Sequence, residues 1–298
     1  MMKKILVVGG TGFVGGYLVS ELLNRGFKPT LLVRDLEKVK TRFSGCDFIV
    51  GDPVKEGSWQ AEVPKFEVVI NLTGQNIFGK WTEEYKRLIL ESRIKSTENI
   101  VNSLKEGSFL VNASAIGYYG DRGDVLVDET APPGDDFLAK VCVEWEKKAN
   151  AAKEKGCKVA ITRFGIVLGK GGMIKKVLPV FKWGLGGTLG NGKQWFSWIH
   201  IQDLVAGLLF LIEIDLEGVF NFTSPQPVTN KEFTRALAEV LRKPAFFRVP
   251  KFMLKLVLGE LAESILASIK AYPERLIKEG FTFNYPEIKN ALKHIIQN

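Results

Sequence analysis

VVGGTGFVGG (residues 7–16) follows a short aliphatic run and leads into VGGYLVSELLNRG (14–26). Its glycines fall at 9, 12 and 15, where a strand turns sharply into a helix. The turn must be tight, the backbone must approach a phosphate closely, and the helix must pack close to the strand. The new helix also begins with N–H groups that lack intrahelical partners and with the positive end of its dipole, which suits a pyrophosphate. A glycine triplet alone is a weak sign. Between an N-terminal strand and an amphipathic helix it is specific for dinucleotide binding. Val14, Leu18 and Leu22 share one helical face, and Gly26 closes the helix. The expected cofactor contacts here are Gly9, Thr11, Gly12, Phe13, Val14 and Gly15.

Outward from this loop the chain alternates two periods. Apolar, β-branched runs at 3–10, 29–35, 47–52, 67–74, 108–115 and 158–168 read as strands buried on both faces. Helical stretches at 14–26, 82–107 and 137–156 lie between several of them and end in glycine. This pattern predicts an α/β fold, a doubly wound parallel sheet of the Rossmann type. After about residue 170 the texture changes. Residues 182–198 are rich in Gly and Trp and read as a structured loop, 201–214 as an apolar helix, and 218–224 as one more strand. Thr229 opens a further helix with a capping box to Glu232. The expected organisation is a dinucleotide-binding domain over 1–169 and a smaller C-terminal substrate lobe over 170–298, woven back into the first domain at about 200–224.

In such a sheet, ligands bind at the carboxyl ends of the strands. Strand two ends in Val33-Arg34-Asp35. A carboxylate at this tip holds the ribose hydroxyl of NAD, and an arginine pairs with the 2′-phosphate of NADP. Arg34 comes first, so NADP is the expected cofactor, with NAD the alternative through Asp35; Arg34 stacked over the adenine is the plainer reading. Asp52, at the end of strand three, is placed to accept from the adenine amine. Leu72, Thr73 and Gly74 end strand four at the same edge. Arg93, in the helix that follows, is a candidate for the phosphates or the substrate, or a surface arginine.

The bulk numbers exclude several classes. With 298 residues, 46% hydrophobic and 25% charged, the chain has the composition of a globular protein. No run approaches the ~20 apolar residues of a membrane span, and no membrane partner is expected. The start, MMKKILVVGGTG, runs straight into the glycine turn and does not read as a secretion signal. Cys46, Cys142 and Cys157 are odd in number and show neither a disulfide frame nor metal-ligand spacing, which fits a cytoplasmic location and no metal. The net charge of +8 is concentrated in the second half, and from Lys158 to Lys193 there are seven cations and no acid. A solvated basic face accounts for this; attraction of an anionic ligand is the sharper reading. No nucleic-acid motif accompanies the charge, and no nucleic-acid partner is expected. The sequence carries no marker of oligomeric state.

The motifs VVGGTGFVGG, INLTG, NASAIGYYG, RFGIVLG and WIHIQDL together resemble the extended short-chain dehydrogenase/reductases over nearly the full length. With GDDFLAKVCVEWE, FGKWTEEYKRLILESR and NGKQWFSWIH, the chain is similar to the epimerase family, the sugar-nucleotide-epimerase-like atypical subgroup. The resemblance implies a Rossmann fold, bound NAD(P) and a C-terminal substrate lobe, without naming a reaction. It also implies a Tyr-x-x-x-Lys pair on the helix after strand five, one turn apart. The lysine holds the nicotinamide ribose, and the tyrosine exchanges a proton with the substrate oxygen. The helix read over 137–156 contains no tyrosine, so no such pair stands there.

Ser114 matches the serine that assists such a pair. Lys140 is a candidate for the ribose, or an exposed helix lysine. Tyr118 and Tyr119, on the loop beside the expected nicotinamide, are candidate proton donors or packing residues. Asp136 stands four residues before Lys140, in the tyrosine's place. His200 is a further candidate, with a packing pair to Asp203 as the plainer reading. Val167 is expected to edge the nicotinamide. Lys193, Gln194, Trp195 and Trp198 form a polar-aromatic cluster that reads either as core or as a lid over a planar or sugar ligand. The expected function is an NADP-dependent oxidoreductase or epimerase acting on an anionic small molecule such as a nucleotide sugar. The alternative is a non-catalytic NAD(P)H-binding sensor or interaction protein.

Overall fold

The computed structural model describes residues 3–297. Seven parallel strands form the central sheet: β1 (Ile5–Val8), β2 (Thr30–Val33), β3 (Asp47–Val50), β4 (Val68–Asn71), β5 (Phe109–Ala115), β6 (Lys158–Phe164) and β7 (Gly218–Phe222). Their order is β7-β6-β5-β4-β1-β2-β3. The chain therefore winds outward from β1 to β3, returns, and winds the other way from β4. The reversal lies between β1 and β4, and there the crevice at the strand ends opens.

Alternation along the strands builds one core on each face. Ile5, Val7, Val68, Ile70, Phe109 and Val111 face α1 (Phe13–Asn24) through Leu18, Val19 and Leu22. Leu6, Val8, Val69, Leu110, Val159 and Ile161 face the other way, against Ile100 and Val101 of α2 (Glu83–Ser103) and Ala149 of α3 (Phe137–Asn150). β3 is the exception to the buried-strand reading: it forms the sheet edge, and none of its four residues is fully buried.

The run 158–168, read as one strand, breaks at Gly165. A Cβ there would lie 2.9 Å from the Ser197 carbonyl oxygen. Beyond it, Ile166–Leu168 leaves the sheet and pairs in parallel with Trp198–His200. The following segment holds a helix that the sequence reading omitted, α4 (Gly172–Lys182), whose Pro179 obscures the period. The chain then returns to the sheet. α5 (Ile201–Glu213) packs beside α1, and β7 becomes the second edge. The capping box at Thr229 forms as read and opens α6 (Asn230–Leu241). Next come α7 (Lys251–Leu258), α8 (Leu261–Leu266), α9 (Glu274–Lys278) and α10 (Ile288–Gln297). A third core joins α4, α6 and α10 around Trp198 and Phe233. Among the described residues no helix is long and apolar enough to cross a membrane.

Candidate functional site

The glycine loop sits at the strand-order reversal. Gly9 has φ +85°, and a Cβ on it would lie 2.9 Å from the Leu72 carbonyl carbon, so the loop touches the end of β4. Gly15 is tighter still: a Cβ would meet the Gly9 oxygen at 2.3 Å and the Gly10 Cα at 2.6 Å. At Gly12 the nearest atom is the Gly9 oxygen at 3.3 Å, with open space otherwise. Gly12 is exposed and N-caps α1 without a side-chain cap, so the first-turn N–H groups remain available. Thr11 is exposed beside it. Across the crevice the Thr73 hydroxyl is buried and has no partner, an orphaned polar atom at the lip of β4. Small residues, free donors and an unsatisfied hydroxyl fit a pyrophosphate group. The Phe13 side chain instead packs against Gly169, Gly171 and Gly172, joining the loop to the segment before α4.

At the tip of β2, Asp35 is paired with Lys38 at 2.7 Å, and that hydrogen bond holds its carboxyl below the ordinary value. Arg34 is exposed and has no partner among the described residues. Asp52 is half-buried and accepts the Val54 N–H. Arg93 lies against Gly74, whose Cβ would be 2.9 Å from the guanidinium carbon. Its Nη1 donates to the Gln75 and Ile89 carbonyls, and the Trp145 ring lies 5.1 Å away. Among the described residues no carboxylate pairs with it, and burial pushes its pKa down. Arg93 is a partly desolvated cation without a counter-ion at the cleft edge. Val167 is half-buried and pairs with Ile199.

The ends of β5 and β6 are built differently. Ser114 is buried and donates to Glu146 Oε1 at 2.6 Å. Glu146 is gripped in turn by Arg163, from Nε and Nη2, both at 2.8 Å. Arg163 Nη1 donates to the Tyr119 hydroxyl at 3.0 Å, and that hydroxyl donates to Asn221 Oδ1 at 2.7 Å. Burial alone would lower the Arg163 pKa, but the Glu146 bonds outweigh it and hold the guanidinium charged. Burial pushes the Tyr119 phenol up to about 12. Ser114 and Tyr119, expected beside the nicotinamide, are instead members of a closed core network. Tyr118 differs: it is half-buried, the Arg163 guanidinium carbon lies 3.4 Å from its ring centroid, and its hydroxyl has no hydrogen-bond partner among the described residues.

Lys140 does not face this region; it is exposed on α3 without a side-chain partner among the described residues. Asp136 is no proton donor in the tyrosine's place, because it N-caps α3 by accepting the Ala139 N–H at 2.9 Å. The inward stripe of α3 falls on Ala139, Cys142, Glu146 and Ala149. Leu138 packs over Gly117 and Cys142 lies beside Ser114, so the side chains one turn apart at the β5 end are Leu138 and Cys142. Burial pushes the Cys142 thiol up to about 12. The sequence reading missed Glu146, Arg163 and Asn221. The signal was Arg163 itself, a cation inside an apolar strand that requires a buried partner.

A cleft of about 910 Å³ opens between the C-terminal lobe and the loop at residues 121–124. Lys193, Gln194 and Trp195 line it, together with Asp124, Arg248 and Lys251, which the sequence reading did not place there. The Trp195 indole N–H donates to Asp124, and the Lys270 ammonium lies 4.0 Å from the Trp195 ring centroid. Trp198 and His200 are not in this cleft. Trp198 is a core residue donating to the Gln226 carbonyl. His200 N-caps α5 through Nδ1 and meets His294 Nδ1 through Nε2 at 3.2 Å. Burial and His294 push its pKa down to about 3. Asp203 does not pair with His200; it accepts the N–H groups of Asn284 and Tyr285. The basic stretch 158–193 does not converge on one ligand either, since Arg163 is paired in the core and Lys193 alone of the seven cations lines the cleft.

The NAD dependent epimerase/dehydratase family matches residues 5–221, and a domain of unknown function, DUF1731, matches residues 249–295. The chain is 39% identical to the chloroplastic epimerase family protein SDR39U1 homolog of Arabidopsis thaliana, over 98% of this chain and 86% of that protein. It is 33% identical to the epimerase family protein YfhF of Bacillus subtilis, over 98% of each. Among solved structures it is similar to human epimerase family protein SDR39U1 (isoform 2) with NADPH, with a TM-score of 0.86, 30% identity and 99% of both chains covered. Thermus thermophilus UDP-glucose 4-epimerase in complex with NAD shares the fold, with a TM-score of 0.77 and 20% identity over 99% of this chain and 98% of that one.

Proposed function

The chain belongs to the NAD dependent epimerase/dehydratase family, and on that premise we propose that it binds NADP(H) at the β1–β4 crevice and acts as an oxidoreductase or epimerase on an anionic small molecule such as a nucleotide sugar. The observation that carries the cofactor reading is the pairing at the β2 tip. Lys38 occupies the carboxylate that would hold the ribose hydroxyls of NAD, while Arg34 is left free for a 2′-phosphate. The relative solved with NADPH supports the same choice.

The first-turn amides of α1 would hold the pyrophosphate, and the unpartnered Thr73 hydroxyl and Arg93 would serve groups arriving at the β4 lip. Once bound, the cofactor supplies a hydride donor or acceptor. Lys193, Arg248 and Lys251 favour an anion in the lobe cleft, and Trp195 offers it a flat wall. Proton transfer falls to the Tyr118 hydroxyl, the candidate donor with no internal partner. A second reading has a specific observation of its own: because Ser114 donates to Glu146, a cofactor-binding protein without turnover is the alternative.

Titrating NADPH and NADH against wild type and Arg34→Ala tests the cofactor assignment. Arg34→Ala should weaken NADPH by roughly 10- to 150-fold, the equivalent of about 1.5–3 kcal/mol for a charge-assisted bond, and leave NADH unchanged. Equal affinities in wild type would overturn the NADP preference. Incubating the NADP⁺-loaded protein with a panel of uridine-diphosphate sugars then separates the two readings. Reduced cofactor or an epimerised sugar, lost in Tyr118→Phe, supports the enzyme; no change with any sugar supports the binding protein.

A further inference from the structure

Two segments of the chain, 155–202 and 240–259, contain no acidic residue. The fold brings them together: Gly187–Leu189 runs parallel to Phe247–Val249, with Phe247 opposite Gly187, and Gly184 packs near Pro244. On these same segments the chain exposes large apolar side chains. Trp183 is 81% exposed, Phe246 89%, Leu256 84% and Val257 78%, with Leu185 and Phe252 also exposed. α7 carries its apolar residues outward, and only Leu254 of its eight residues is buried. A helix that turns its apolar side away from the core is held for something other than the core. Local contacts fix it in that pose, through packing on α8 and the Lys255–Glu263 ion pair at 2.7 Å. Lys182, Lys243 and Lys251, on the same two segments, have no ion-pair partner among the described residues.

We propose that this face of the C-terminal lobe docks on the surface of an anionic lipid bilayer. The apolar side chains of α7 and of the Trp183 and Phe246 segments would enter the boundary between headgroups and acyl chains, and the unpaired lysines would meet the lipid phosphates. Charge selects this occupant. A two-fold contact with a second copy would set the same acid-free segments against each other, lysine facing lysine. A neutral apolar partner would leave the lysines without counter-charge. A bilayer with anionic headgroups satisfies both halves of the patch, and tryptophan, phenylalanine and leucine suit that interface. Lying on a bilayer and spanning one are different claims, so the lack of a spanning helix does not oppose it.

The test is co-sedimentation of the full chain with vesicles of phosphatidylcholine alone or mixed with phosphatidylglycerol, at low and high salt, without cofactor or substrate. The chain should pellet with the anionic vesicles, roughly tenfold less with the neutral ones, and less at high salt. Leu256→Ser with Val257→Ser should lose roughly tenfold in vesicle affinity while melting as wild type does, since both side chains are exposed. Lys182→Ala with Lys243→Ala should weaken binding several-fold, and this variant leaves the apolar face intact. The proposal is overturned if wild type does not pellet with anionic vesicles, or if both double variants pellet as well as wild type. It is also overturned if wild type is a dimer by light scattering that the Leu256/Val257 variant dissociates, which would assign the face to a second copy.

Discussion

At the carboxyl ends of β1 and β4 the protein leaves several polar groups free. At the carboxyl ends of β5 and β6 it pairs them with one another. The first region has an uncapped helix N-terminus, an orphaned Thr73 hydroxyl and an arginine without a carboxylate. The second links Ser114, Glu146, Arg163, Tyr119 and Asn221 in one chain of bonds. Free groups at a crevice are expected where a ligand supplies the missing partner. Groups already paired contribute to the fold and are not poised for a reacting atom. The family architecture therefore survives in two states, an open cofactor half and a closed half where the proton-transfer pair would stand.

The sharpest way to break this comparison is Glu146→Gln. The substitution keeps the volume but leaves Arg163 buried without its counter-charge, and should cost roughly 3–5 kcal/mol of stability, read from denaturant unfolding. Replacing both partners, as Glu146→Leu with Arg163→Met, should recover much of that loss. A cost below about 1 kcal/mol for Glu146→Gln would mean that the network is loosely held. Ser114 would then be free to serve a substrate.

A smaller effect sharpens the open half. Gly15→Ala puts a Cβ within 2.3 Å of the Gly9 oxygen, a backbone atom that cannot swing aside, and should cost about 1–3 kcal/mol in stability. Gly12→Ala meets only that oxygen, at 3.3 Å, and should cost about 0.5–1 kcal/mol of stability, since alanine is a poorer N-cap than glycine. Its effect should fall on NADPH affinity, because the added carbon stands where the pyrophosphate must approach. Equal melting of the two variants would show that the loop is not packed as described. Unchanged NADPH affinity in Gly12→Ala would place the phosphates elsewhere.

The two halves also differ in how far the sequence discloses them. The glycine loop is local: its strand, turn and helix lie within one short stretch, and the spacing alone predicts the geometry. The strands were legible for the same reason, apart from the break at Gly165, where a single glycine in an apolar run lets the chain cross to Trp198. The closed network is not local. Ser114 and Glu146 are 32 residues apart and Tyr119 and Asn221 are 102 apart, so no spacing joins them. The resemblance supplied a slot on α3, but alignment through Lys140 placed it on Asp136 and Lys140, two positions before Leu138 and Cys142. The substrate cleft mixes both cases. Lys193–Trp195 was legible as a cluster, whereas Arg248 and Asp124 join it only through tertiary packing.

The last effect, absent at neutral pH, concerns His200, a sequence candidate that the structure places in neither half, at the start of α5. Its imidazole is buried, accepts the Gln202 N–H at Nδ1 and meets His294 through Nε2. Burial first, and His294 second, push its folded pKa from 6.5 down to about 3. The unfolded chain therefore binds the proton more readily. The stability this residue contributes is fully present above pH 6.5 and is lost progressively as pH falls toward 3. At about pH 5.5 the loss should be about 1.4 kcal/mol, one pKa unit of differential binding. Buried Asp203 and Glu129 act in the opposite sense, since burial raises their pKa values and acid favours their folded forms. The measurement is thus the difference between wild type and His200→Asn, which keeps an acceptor for the α5 N-cap but does not titrate. Melting curves taken from about pH 7.5 down to 5.5 should converge as wild type loses its advantage. Parallel curves would mean that His200 is protonated in the folded protein, and therefore within reach of solvent or ligand.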